Sequence, residues 1–308
     1  MKIIKNILAF VGVLSVSGLL IFAVQDAPSD DNLEKKMIND YNVYALNIPE
    51  NLDFSGEAMP LNNPDILERM DRELLVNTYW QSNGLLMFKR ANKYFPVIEP
   101  ILAKNGIPDD FKYLAVIESG LTNEVSPANA RGFWQIMKAT GKENGLEINT
   151  NVDERYHLEK ATEAACKYLL EAKEKFGTWT LAAAAYNAGI TGISRRLNSQ
   201  SVTNYYDLLL GEETRRYIFR IVALKEILNN PDKYGFNFRY KDLYNSIPTY
   251  TVSVDTVVTD FIAFSKQFGI NYKILKLHNP WLREAHLNNK SRKEYLIEIP
   301  KDGYYSIP

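Results

Sequence analysis

The chain has 308 residues, of which 46% are hydrophobic and 24% charged, an ordinary balance for a globular protein long enough for two domains. Its formal net charge of −1, with basic and acidic residues mixed throughout, gives no basic stripe for binding nucleic acid. The single cysteine, Cys166, rules out an intrachain disulfide framework, and the three histidines lack metal-ligand spacing. We therefore expect no metal and no other cofactor.

The first residues predict export. Lys2 and Lys5 precede the uncharged apolar run Ile7–Val24, a pattern typical of a secretory signal peptide or of an uncleaved membrane anchor. We assign residues 1–27 to this segment, and both fates stay open. Residues 28–64 are polar and contain prolines, so we predict a tether whose apolar part lies along the folded domain.

Residues 65–242 carry the 3.6-residue periodicity of helices, which predicts a mainly α domain. A helix is expected at Asp65–Asn77, and a second at Leu85–Lys104 that Pro96 and Pro100 should kink or split. Clear helical patterns return at Leu158–Phe176, Thr178–Ala188 and Glu212–Leu228.

The most informative helix starts near Pro108 and ends at Ser119-Gly120. It is apolar almost all round, which is typical of a buried helix, and Glu118 shares a face with core residues. Burial disfavours the ionised carboxylate, so we expect a pKa above the usual value, as a general acid near neutral pH requires. A glutamate that caps backbone or pairs with an arginine would explain the same position.

A loop with a Gly-Phe-Trp-Gln sequence follows this helix. Phe133 and Trp134 offer aromatic surface for a sugar ring, and Gln135 offers an amide for hydroxyl or N-acetyl groups. On these residues alone, a tryptophan packed in the core is the simpler interpretation.

Residues 243–308 change from helical to strand-like patterning. Thr249–Val254 alternates like a strand, Val257–Phe268 and Tyr272–His278 have helical patterns, and Glu294–Ile299 is again strand-like. This βααβ order resembles a LysM module, a fold that binds N-acetylglucosamine chains. We expect a small α/β unit from about Val254 that folds separately and aids wall retention. A packing domain without sugar affinity remains the alternative.

Four sequence blocks together resemble the lytic transglycosylases, the goose-lysozyme-like enzymes of glycoside hydrolase family 23. The blocks are Glu118-Ser119, Ser126-Pro127-Ala128-Asn129-Ala130-Arg131-Gly132-Phe133-Trp134-Gln135, Ala185-Tyr186-Asn187-Ala188-Gly189 and Glu213-Thr214-Arg215-Arg216-Tyr217. The family usually has glycine where this chain has Asn129. Asparagine tolerates positive φ better than other non-glycine residues, so we predict that the turn survives.

The resemblance implies a lysozyme-like helical domain in which Glu118 is the catalytic acid and base. It implies substrate binding by a further set of residues: Ser126, Phe133, Trp134, Gln135, Tyr186, Asn187 and Tyr217. The hydroxyl of Tyr217 should approach the catalytic carboxylate. Asp153 and Arg155, adjacent opposite charges between helices, are expected to brace the fold.

The implied reaction cleaves the β-1,4 bond between N-acetylmuramic acid and N-acetylglucosamine and leaves a 1,6-anhydromuramyl end. The expected partner is peptidoglycan in the periplasm or cell envelope, with a membrane contacted only through the N-terminal segment. Two alternatives stay open. A hydrolytic muramidase would need a second carboxylate, such as Glu124 or Glu154, and a cell-wall-binding protein would need no catalysis.

Overall fold

The computed structural model describes residues 43–305, and the predicted export segment at residues 1–27 lies outside them. Residues 46–305 belong to one folded unit. The mainly α architecture with a small α/β module is confirmed. Among the described residues, no helix is both long enough and apolar enough to cross a membrane.

The helical domain begins with a short hairpin, β1 (Asp53–Phe54) and β2 (Glu57–Ala58). Leu52, Phe54 and Met59 are buried in the same core as the helices, so the folded part starts before Asp65. The apolar stretch of the predicted tether therefore packs on the domain. The division of the chain at residues 64 and 242 stays a prediction.

Eight helices follow the hairpin. They are α1 (Pro64–Tyr79), α2 (Gln81–Lys104), α3 (Lys112–Ser119), α4 (Lys138–Glu143), α5 (Leu158–Phe176), α6 (Trp179–Ala188), α7 (Ile190–Gln200) and α8 (Glu212–Asn229). The bounds of α5 match the prediction, and α2 continues through both prolines. Helix α7 was not predicted.

Helix α3 lies inside the domain. Its five residues from Tyr113 to Ile117 are all buried, and it contacts α2 and α8. Gly120 ends it with φ 59°, a left-handed conformation that glycine adopts without steric cost. The alanine-rich α6 is buried from Leu181 to Ala185 and packs against α5 and α8. Small side chains allow this close approach, which brings the C-terminal end of α6 near that of α3.

The C-terminal module is a two-stranded antiparallel sheet with two helices. Strand β3 (Thr249–Val254) pairs with β4 (Tyr295–Pro300), and α9 (Phe261–Lys266) and α10 (Tyr272–His278) lie between them in sequence. The predicted βααβ order is thereby confirmed.

The module is joined to the helical domain by a shared core. Val152 and Tyr156 of the helical domain are buried in the same cluster as Phe261, Leu282 and Ile297 of the module. The backbone N–H of Asp153 donates to the carbonyl of Trp281 at 2.9 Å. The prediction that the module folds as a separate unit is therefore wrong in this respect, because part of its core comes from residues more than a hundred positions earlier.

Candidate active site

Glu118 is the second-to-last residue of α3, where the buried helix reaches a partly exposed surface. Burial of its carboxylate raises the pKa to about 7, against an ordinary value of 4.5. A hydrogen bond from Tyr217 and the positive charge of Arg220 oppose this shift, and the negative charge of Glu213 adds to it. The group can therefore both hold and release a proton near neutral pH, as the sequence position predicted.

Tyr217 lies on α8 with 1% of its surface exposed, and its hydroxyl donates a hydrogen bond to Oε1 of Glu118. The contact that the resemblance implied is present, although the two residues are 99 positions apart. Because Oε1 accepts this bond, Oε2 is left for a proton. Arg220, one turn later on α8, donates from Nη2 to the carbonyl of Ile117 at 3.0 Å and so fixes α8 against the end of α3.

The loop after α3 is held by its own side chains. Ser119 Oγ donates to the carbonyl of Phe133 at 2.8 Å. The Ser126 hydroxyl accepts from the N–H of Ala130 at 3.0 Å and closes a turn in which Asn129 has φ 67°. The predicted positive φ at Asn129 is confirmed. The hydrogen bond gives Ser126 a structural role in the loop, and its predicted substrate contact stays a proposal.

Gly132 and Gln135 fix the course of the backbone at the end of this loop. Gly132 has φ 80°, and a Cβ there would lie 1.9 Å from the carbonyl oxygen of Arg155, so no other residue fits. Gln135 has φ 46°, and its amide Nε2 donates to the carbonyls of Glu124 at 3.1 Å and Gly132 at 2.9 Å. The half-buried side chain is thereby oriented beside α6.

The two aromatic residues of the loop, Phe133 and Trp134, lie in different environments. Trp134 is fully buried, and its Nε1 donates to Thr162 Oγ1 at 2.8 Å on α5. The prediction that its side chain lines the substrate cleft is wrong in this structure, because a side chain with no exposed surface contacts only the core. Phe133 is 5% exposed and packs edge-on against Tyr94 with ring centroids 4.7 Å apart. It borders a cavity on the side of the C-terminal module.

Tyr186 and Asn187 end α6 beside Gln135. The Tyr186 hydroxyl donates to the carbonyl of Trp134 at 2.7 Å, and the negative charge of Glu118 reaches this tyrosine. Asn187 donates to Glu213 at 3.0 Å and accepts from Thr214 Oγ1 at 2.7 Å. Sequence reasoning placed neither Glu213 nor Thr214 in the site, although the Glu-Thr block contains both.

Gln135, Tyr186 and Asn187 border one cavity of about 180 Å³ together with Met137 and Tyr168. Its walls combine apolar side chains with three amides, those of Gln135, Asn144 and Asn187, which suits an N-acetyl group. The structure therefore brings three of the predicted binding residues to one place near the end of α3.

Asp153 and Arg155 form a buried ion pair, with 3% and 4% of their surfaces exposed. Arg155 donates from Nε to Asp153 Oδ1 at 2.9 Å and from Nη2 to Oδ2 at 2.7 Å. Its Nη1 also donates to the carbonyls of Asn129 and Ile136 at 3.2 and 3.3 Å. The pair braces the loop that carries Gln135, which agrees with the predicted structural role.

The acids considered as a second carboxylate have other contacts. Glu154 is 3% exposed and pairs with Lys160 and with the backbone N–H of Glu147. Glu124 is exposed and accepts from Thr122 Oγ1 at 3.2 Å. Within residues 43–305, no cluster of three or more His, Cys, Asp or Glu side chains could hold a metal ion.

A mainly helical domain whose internal helix ends in a partly buried glutamate, bonded to a tyrosine hydroxyl, is lysozyme-like in class. Residues 96–208 match the family model described as "Transglycosylase SLT domain". Residues 250–303 match "Soluble lytic transglycosylase C-terminal LysM-like domain". The chain therefore matches an SLT domain followed by a LysM-like domain, in the predicted order, and the resemblance seen in the sequence blocks is confirmed.

The chain is also similar to "Membrane-bound lytic murein transglycosylase D" of Escherichia coli K12, with 27% identity over 257 residues. The alignment covers 80% of this chain and 55% of the relative. The protein of the same name from Escherichia coli O6:H1 matches with the same figures. The chain thus spans about half the length of the curated relatives it matches. The SLT match ends at residue 208, and α8 contributes to the site through the hydrogen bonds of Tyr217 to Glu118 and of Glu213 and Thr214 to Asn187.

Proposed function

We propose that this chain is a peptidoglycan lytic transglycosylase. It cleaves the β-1,4 bond between N-acetylmuramic acid and N-acetylglucosamine and forms a 1,6-anhydromuramyl end. The observation that carries the proposal is Glu118, a carboxyl group with a pKa of about 7 at the end of an internal helix within the SLT match, which accepts a hydrogen bond from Tyr217.

Glu118 acts in two steps. As a general acid, it gives its proton to the glycosidic oxygen while the bond from C1 of the muramic acid to that oxygen breaks. As a general base, the resulting carboxylate takes the proton of the C6 hydroxyl while that oxygen bonds to C1. No water is consumed and Glu118 ends protonated, so one carboxylate is sufficient. Intramolecular attack of this kind depends mainly on positioning.

The residues around Glu118 position the carboxylate and the sugar for these two proton transfers. Tyr217 donates to one carboxylate oxygen, which leaves the other to carry the proton to the substrate. Gln135 and Asn187 offer amides to the N-acetyl and hydroxyl groups of the sugar, and the side chain of Tyr186 completes the wall between them. Glu213 and Thr214 orient Asn187 through the two hydrogen bonds described above.

We infer that the protein acts in the cell envelope, where its substrate lies. The basic and apolar start of the chain supports export, as a cleaved signal or as an anchor. The LysM-like domain supports retention on the wall.

The test is a digest of purified sacculi by the intact chain, with products identified by mass. We expect anhydromuramyl ends, and we expect Glu118→Gln to lower their rate of formation by at least about 10²–10⁴. Glu124→Gln is the matched control, because Glu124 is an exposed acid in the loop after α3 whose loss should leave this rate unchanged. Reducing ends that depend on both acids would instead establish a hydrolytic muramidase, and an absence of cleavage would leave a wall-binding protein.

A further inference from the structure

A cavity of about 340 Å³ lies between the helical domain and the C-terminal module. Its size falls within the range of about 300–1,000 Å³ that is usual for small-molecule sites. Asn123 and Phe133 of the helical domain form one wall, and His278 and Glu298 of the module form part of the other. The cavity exists only because the two parts of the chain pack together.

Glu298 gives this cavity an unused hydrogen-bonding group. Its backbone N–H and carbonyl are both bonded to the side chain of Asn279, at 2.8 and 2.7 Å, which fixes its place on β4. Its carboxylate, in contrast, accepts no hydrogen bond from any residue between 43 and 305. Burial raises the pKa of this half-buried group, and the nearby Glu159 raises it further. A carboxylate in such a place is stabilised by a ligand that brings hydroxyl or amide donors.

The other walls combine aromatic rings with polar tips. The Tyr305 hydroxyl lies 2.9 Å from Nε2 of His278, and the two rings meet edge to face. Tyr94 is half-buried on the opposite side, against Phe133. Apolar ring surface with a few convergent polar groups fits a ligand that has C–H faces and hydroxyl edges, which describes a pyranose ring.

The cavity shares the loop after α3 with the candidate active site. Asn123 and Phe133 belong to the loop between Glu118 and Gln135, and Ser119 Oγ is bonded to the carbonyl of Phe133 at 2.8 Å. The loop thus has the catalytic carboxylate at one end and a wall of this cavity along its length. A polymer lying over the loop would contact both.

We propose that this interdomain cavity is a second glycan-binding site, which takes an N-acetylated β-1,4-linked saccharide through the carboxylate of Glu298. The proposal rests on the proposed function for its choice of ligand. The lining has two acids, Glu159 and Glu298, against one lysine, Lys93, and this balance disfavours an anionic ligand. A neutral saccharide supplies the hydroxyl donors that the free carboxylate lacks. Binding by the open faces of the module alone would not need Asn123 or Phe133.

The experiment uses the intact chain carrying Glu118→Gln, so that no turnover occurs, and a trimer of N-acetylglucosamine as the probe in calorimetric titrations. Glu298→Ala is compared with Glu294→Ala, an exposed glutamate next to the same strand whose carboxylate accepts from Ser253 Oγ at 2.6 Å. We expect Glu298→Ala to abolish one binding site or to weaken binding at least about tenfold, and Glu294→Ala to change nothing. The melting temperature of each sample checks folding.

Binding that is the same in both variants would overturn the inference. So would Glu298-dependent binding of a short lysine-containing peptide without binding of the trimer, which would assign the cavity to a cationic ligand. The proposed function is tested apart from this result by the sacculus digest. Anhydro ends with Glu298-independent binding refute the second site alone, whereas Glu298-dependent binding without anhydro ends refutes the transglycosylase alone.

Discussion

The raised pKa of Glu118 predicts that Glu118→Gln stabilises the protein at alkaline pH. Between pH 4.5 and 7 the unfolded chain has lost a proton that the native protein still holds at Glu118, so native stability falls as the pH rises through this window. Above pH 7 the native state carries the whole cost of the buried charge. Glutamine carries none of it at any pH.

The magnitude follows from the shift. A pKa of about 7 against 4.5 corresponds to about 3 kcal/mol. Because the residue is partly exposed, solvent screens some of this cost, and we expect a gain of about 1–3 kcal/mol at pH 8. Glutamine can still accept the hydrogen bond of Tyr217, so the packing around position 118 is retained.

The assay is urea or thermal unfolding of the two proteins at pH 4.5 and pH 8. We expect nearly equal stability at pH 4.5 and a melting temperature several degrees higher for Glu118→Gln at pH 8, at about 2–4 °C for each kcal/mol. Glu124→Gln, an exposed glutamate in the next loop, is the control and should change stability by no more than about 0.5 kcal/mol. An equal difference in stability between Glu118→Gln and the parent at both pH values would refute the predicted cost of the buried charge.

Two further substitutions test the loop that follows α3. Gly132→Ala should destabilise the protein by about 2–5 kcal/mol in a denaturant titration, because it combines a positive φ with a clash against the Arg155 carbonyl. Gly192→Ala is the control: Gly192 lies within α7 with open space around it, so the substitution should stabilise the protein by about 0.5–1 kcal/mol. Trp134→Phe should lower the free energy of unfolding by about 1–3 kcal/mol, because it removes the hydrogen bond to Thr162 and leaves a smaller ring, but KM for soluble glycan should stay unchanged. A raised KM with unchanged stability would support the substrate-binding role of Trp134.

Local signals were enough to predict much of this fold. The regular apolar spacing of Leu158–Phe176 defined α5, and the chemistry of asparagine predicted the positive φ at Asn129. Helix α7 was missed because it is short and mostly polar, although Ile190, Ile193 and Leu197 have helical spacing. Pro96 and Pro100 did not break α2. Both lie on its exposed side, where water can satisfy the carbonyls that lose their donors.

The site was less predictable from local pattern. The core-facing phase of Glu118 followed from helix periodicity, whereas its contact with Tyr217 joins residues 99 positions apart and was expected only from the family resemblance. The misplaced Trp134 has a similar cause. It lies in a loop between left-handed residues at Gly132 and Gln135, where no periodicity shows which way a side chain points. The shared core of Val152 and Tyr156 also depends on tertiary packing.

That shared core limits how the C-terminal module can be recombined with other enzymes. A chimera that exchanges residues 243–308 alone would place Val152 and Tyr156 against a foreign surface and would lose the strand-like contact between Val152 and Leu282. The transferable segment therefore includes the loop of residues 147–157 as well as the module. Homologous exchange between such enzymes is expected to preserve the two segments together, even though the whole length of α5 to α8 separates them in the chain.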